Sequence, residues 1–110
     1  MTAWIPFENG TTIGTTGSEG GTIIRDELHR DGARITLERT ASGFAITCGV
    51  YGWMVHTRFF ADESNALAAY EEMKPALAEI LARLRADDAN VAAAVPEVAG
   101  ILDEFVARFP

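Results

Sequence analysis

The sequence predicts an α+β fold, a four-stranded antiparallel β-meander followed by two C-terminal helices packed on one face, with a Gly/Thr-rich N-terminal arm. Two turn signals, Asp31-Gly32 and Tyr51-Gly52, sit between runs rich in β-branched and aromatic residues. After Phe60 the apolar spacing changes from two to three or four residues. Strands segregated before helices are the α+β arrangement. At 110 residues the chain is expected to be a single domain with one modest core.

Residues 1–21 read as arm and loop. Trp4, Ile5 and Phe7 cluster around Pro6, which cannot donate to a ladder and so allows at most an edge strand or an anchoring arm. From Asn9 to Gly21, glycines at 10, 14, 17, 20 and 21 give loop composition, and a mobile connector is expected. Successive glycines also let backbone amides converge on an anion, which makes Gly17 and Ser18 candidate ligand contacts. No Lys follows to make a phosphate loop, and Gly17-Ser18-Glu19-Gly20 lacks the spacing of a nucleophile elbow.

Residues 22–60 read as the sheet. A two-residue turn at Asp31-Gly32 would set Leu28 opposite Ile35, Asp26 opposite Leu37 and Ile24 opposite Arg39 on the core side. Asp26 is the odd member there, so either it has a partner or a bulge corrects the phase. The other side would pair Arg25 with Glu38, Glu27 with Thr36 and His29 with Arg34 as a solvated face. Thr40-Ala41-Ser42-Gly43 then turns the chain into the central hairpin. A two-residue turn at Tyr51-Gly52 would place Val50, Cys48, Ile46 and Phe44 opposite Trp53, Val55, Thr57 and Phe59 on the core face. Ala45, Thr47, Gly49, Met54, His56 and Arg58 would form the open face.

Residues 62–86 read as a helix, capped by Asp62 or Ser64, with Leu67, Tyr70, Met73, Leu77, Leu81 and Leu84 on one stripe. The stripe keeps its phase across Pro75, which argues for one kinked helix and leaves a full break open. Asp87-Asp88-Ala89-Asn90 reads as a turn. Residues 89–109 read as a last helical region bearing Val91, Val95, Val98, Ile101, Leu102, Phe105, Val106 and Phe109, with Pro96 starting or kinking its second part.

A formal charge of -7 is concentrated in the helical half, and no Lys/Arg cluster offers an electrostatic footprint for phosphate backbones or anionic lipid. Nucleic acid and membrane are therefore not expected partners. No apolar run approaches the roughly 20 residues of a span, and the first residues lack the basic and apolar regions of a signal peptide, so a cytoplasmic protein is expected. The lone Cys48 reads as a small buried hydrophobe. Two widely spaced His and one inward Cys are too few for a metal site, and no cofactor is expected.

The candidate catalytic residues are His56, His29 and Glu38, since imidazole titrates near neutrality and a carboxylate can orient it. The candidate ligand contacts are Thr36, Thr47, His56 and Arg58, with Gly17 and Ser18 from the loop. Glu71-Glu72 and Asp103-Glu104 diverge around their helices and do not converge on one atom. The expected function is that of a small non-enzymatic protein acting through self-association or protein binding. The alternative is a small-ligand or catalytic site on the open sheet face around His56 with the Gly-rich loop. A homodimer is expected because the last helix is apolar over a wide arc and the arm adds further apolar bulk. The contact surface is the last helix if the arm covers the open face, and the sheets themselves if it does not.

Overall fold

Two glycine turns decide how the side chains are distributed. The computed structural model describes residues 3–86 and 91–110, with side chains described through residue 84 and again from residue 99. Strands β1 (Trp4–Pro6), β2 (Thr22–His29), β3 (Ala33–Thr40), β4 (Gly43–Val50) and β5 (Met54–Phe60) form one antiparallel sheet in the order of the chain. Helices α1 (Glu63–Ala86) and α2 (Val91–Arg108) follow. The α+β class is as expected, but the sheet has five strands because the short β1 pairs with β2, Trp4 opposite His29 and Ile5 opposite Leu28.

Both hairpins turn over three residues rather than two. In the first, Gly32 takes φ +112 and donates its N–H to the carbonyl of His29 at 3.0 Å. In the second, Gly52 takes φ +83 and the Trp53 N–H reaches the carbonyl of Val50 at 2.9 Å. The extra residue shifts the register by one. Thus Cys48 faces His56, Ile46 faces Arg58 and Phe44 faces Phe60. Across the first hairpin Asp26 faces Thr36, Glu27 faces Ile35 and Leu28 faces Arg34.

Because side chains alternate with a period of two, a slip of one carries a strand's whole set to the opposite side. Met54, His56, Arg58 and Phe60 therefore lie on the helix side, and Val55, Thr57 and Phe59 on the open side, the reverse of the sequence expectation. Arg25, Glu27 and His29 likewise turn to the helices, while Asp26 and Leu28 turn to the open side. A bulge between Ile23 and Arg25 then absorbs Ile24. Trp53 is the last turn residue, half-buried against the core rather than a strand position within it. The β3–β4 register, joined through Ala41-Ser42, is the expected one, with Ile35 opposite Cys48 and Leu37 opposite Ile46.

Asp62 caps α1 by accepting the Asn65 N–H at 2.8 Å. The helix runs unbroken through Pro75. Its stripe of Tyr70, Met73, Leu77 and Leu81 packs on Ile35, Leu37, Ile46 and Cys48 to form the core. Tyr70 is fully buried and its hydroxyl donates to Glu27 at 2.7 Å; burial, then that bond, push its pKa up. α2 is likewise one helix, with Phe105 and Phe109 buried beneath it and Val106 exposed. The expected turn at Asp87-Asp88-Ala89-Asn90 and the side chains of Val91, Val95 and Val98 lie outside the described residues. No helix among the described residues is long and apolar enough to cross a membrane.

Candidate functional site: a cleft on the open sheet face

On the open side β4 contributes only Gly43, Ala45, Thr47 and Gly49, so its surface is low between higher neighbours. The Gly/Thr-rich stretch lies along one bank of this trough and the β4–β5 turn along the other. The expected mobile connector is fastened down. Gly14 donates to the carbonyl of Ile23 at 2.8 Å, Ile23 donates to Thr15 at 2.9 Å, and Gly17 donates to Gly21 at 2.9 Å. Ile23, inside this small hairpin, is 4% exposed.

The fastening centres on Glu38, which the sequence places on a solvated face as a catalytic candidate and which is 0% exposed. Its carboxylate accepts the N–H groups of Glu19 at 3.1 Å and Gly21 at 2.9 Å. A Cβ at Gly17 would come within 2.6 Å of that carboxylate, and one at Gly21 within 2.4 Å of the Arg39 carbonyl, so only glycine permits the approach. The loop does gather its amides around an anion, as successive glycines allow. The anion is the protein's own carboxylate.

A second buried acid lies one strand away. Asp26, 3% exposed, takes a two-pronged ion pair from Arg34, with Nε at 2.9 Å and Nη2 at 2.7 Å, and a hydrogen bond from Thr36 at 3.0 Å. The Arg34 guanidinium also lies 3.7 Å from the centre of the Phe7 ring. The hydrogen bond to Asp26 holds the Arg34 pKa above its ordinary value. The guanidinium is thereby fixed in place with its charge already balanced.

Between the banks is a cleft of about 720 Å³, within the range of small-molecule sites. Arg34, Thr36, Thr47 and Gly49 line its floor, and Thr16, Gly17, Ser18 and Ile23 line the loop bank. Tyr51, Trp53 and Val55 line the other bank. Ser18 and Thr47 hydroxyls lie 3.4 Å apart, and Thr47 and Thr57 hydroxyls 3.3 Å apart. The arrangement is a row of hydroxyls and a neutralised guanidinium against an apolar wall.

Of the residues singled out in the sequence, Thr36, Thr47, Gly17 and Ser18 meet here. His56 and Arg58 do not, because the register shift puts them under the C-terminal segment. There the His56 ring bonds the Phe109 carbonyl at 2.5 Å, and Arg58 Nε donates to Pro110 O at 3.1 Å. Burial lowers the Arg58 pKa. His29 is buried on the helix side, edge-on to Trp4 at 5.0 Å, and its Nδ1 accepts the Asp31 N–H at 3.1 Å. Cys48 is buried, and its thiol is pushed up to about 12 by burial. No group of three or more His, Cys, Asp or Glu able to hold a metal occurs among the described residues. Arg34 and Asp26 were missed as site residues; a three-residue turn at Arg30-Asp31-Gly32 is the one signal that would have put them beside each other on the open face.

Compared with protein-family models, with curated proteins and with solved structures, the chain matches none, so the site is read from its own geometry.

Proposed function

We propose that this protein is a non-enzymatic binding protein that holds a small, electrically neutral molecule in the open-face cleft, with an apolar body against Val55 and Trp53 and a hydrogen-bonding end at Thr36, Thr47 and Ser18. The observation that carries this reading is the cleft itself, about 720 Å³ with its hydroxyls on one side and its apolar wall on the other. Neutral cargo is favoured because Asp26 already balances Arg34. Binding is favoured over catalysis because the candidate acid and base groups are engaged elsewhere. Glu38 is bonded to loop amides, Asp26 to Arg34 and Thr36, and both imidazoles lie on the far side of the sheet.

The neutral fluorophore N-phenyl-1-naphthylamine is a direct probe. Saturable enhancement at one site per chain is expected, with no comparable saturation by the anionic anilinonaphthalene sulfonate. A Cβ at Gly49 meets only ordinary contacts, the nearest at 3.4 Å, so Gly49→Phe can fill the cleft from its floor. That variant should lose the enhancement while keeping its circular dichroism. Absence of saturable enhancement in the wild type, or its survival in Gly49→Phe, contradicts the reading.

The second reading is self-association or protein binding by a cytoplasmic protein. The observation favouring it is the outer strand β5, where Val55 is 79% and Phe59 68% exposed on one side of the strand.

A further inference from the structure

We infer that two copies of this chain join through their β5 edges, antiparallel and centred on Thr57, and that each copy thereby supplies Phe59 to the outer bank of the other's cleft. The two edges of the sheet differ in how they are protected. β1 is three residues long and ends in Pro6, both of which blunt a strand edge. β5 runs seven residues without Pro or Lys, and among the described residues no backbone hydrogen bond reaches its outer side.

The register says which groups point outward. The β4–β5 turn closes on the Val50–Met54 pair. Hydrogen-bonded and non-hydrogen-bonded pairs alternate along an antiparallel ladder, so Met54, His56, Arg58 and Phe60 bond to β4. The N–H and C=O groups of Val55, Thr57 and Phe59 then face away from the sheet. The chain pattern on this edge is self-complementary. A twofold axis at Thr57 sets Thr57 against Thr57, Val55 against Phe59 of the second copy, and every outward donor against an acceptor. β-branched and aromatic cross-strand pairs of this kind are favourable. Charge permits it as well, since no charged side chain of β5 lies on the open side, and His56 and Arg58 are bonded to Phe109 and Pro110.

The area sets the strength. A seam of seven residues is about 24 Å long and about 10 Å deep, on the order of 500 Å² from the two copies together. That is well below the roughly 1,200 Å² of stable complexes, so the association is weak and concentration-dependent. Because Val55 already lines the cleft, the Phe59 of the second copy, lying opposite it, extends the apolar bank.

Sedimentation velocity of the ligand-free protein tests this apart from the cleft reading, since it requires no ligand. The mass is expected to rise from near 11.9 kDa toward twice that between about 10 µM and about 1 mM. Over the same range the amide signals of Val55, Thr57 and Phe59 should shift together. V55K/F59K sets Lys against Lys across the axis and should stay monomeric, whereas V55K/F59E sets Lys against Glu and should associate again, more weakly in high salt. A wild type that stays at the monomer mass at about 1 mM overturns the proposal. So does a Lys/Glu variant as monomeric as the Lys/Lys variant, which would mean another register, or concentration-dependent shifts confined to α2, which would mean another surface. If either variant fails to fold, the wild-type mass and shifts still decide.

Discussion

The two faces of the sheet solve burial by opposite chemistry. On the helix side Ile35, Leu37, Ile46 and Cys48 meet Tyr70, Met73, Leu77 and Leu81, and stability there comes from removing apolar area from water. On the open side two carboxylates are buried instead, Asp26 at 3% and Glu38 at 0% exposure, each with its own donors. Buried charge is costly unless it is paired and hydrogen-bonded. These acids therefore position rather than stabilise: Asp26 holds Arg34 at the cleft floor, and Glu38 holds the glycine loop at its bank. One face is a core, and the other is built to keep a hollow open.

The comparison is sharpest where a substitution separates global from local effects. Ile46→Ala, at the centre of the helix-side core, is expected to cost about 2–5 kcal/mol, read as a lower midpoint in urea with the m-value unchanged. Glu38→Gln keeps an acceptor but weakens two charge-assisted bonds, at a cost of about 0.5–1.5 kcal/mol. Its signature is local: faster hydrogen exchange at the Glu19 and Gly21 amides, with the β3–β4 ladder unchanged. A uniform acceleration of exchange would mean that Glu38 supports the whole fold and that the two faces are not distinct.

These contrasts also show what the sequence could and could not reveal. The strand runs, the capping Asp62, the α1 stripe through Pro75 and the β3–β4 register were legible because each rests on local periodicity or a tight turn. Turn length was not. Asp31-Gly32 and Tyr51-Gly52 are compatible with two or three turn residues, and the difference of one exchanged the faces of β2 and β5. That single ambiguity put His56 and Arg58 into the expected site and kept Asp26 out of it, and without Asp26 beside it Arg34 read as one more charge on a solvated face. Thr36 and Thr47 share the open side as expected, because β3 and β4 are joined by a turn whose parity is legible in the sequence. The docking of the loop was legible only in part, since glycine spacing suggests an anion but not that Glu38 supplies it.

The smallest expected effect belongs to Cys48. Its folded thiol is pushed up to about 12 from 9.0 by burial, so the native state holds its proton where the unfolded chain releases it. This contribution to stability is complete below about pH 9 and is lost as pH rises toward about 12. Iodoacetamide at pH 8 should label the native protein far more slowly than the protein in urea, and equal rates would place Cys48 outside the core.

The most direct test of the open face as a binding surface is an amide-resolved NMR titration with N-phenyl-1-naphthylamine. The largest shifts are predicted at Ser18, Thr36, Thr47, Gly49 and Val55, with the α1 stripe silent. Saturable shifts centred instead on His56, Phe105 and Phe109 would place the binding surface on the helix side and contradict the account.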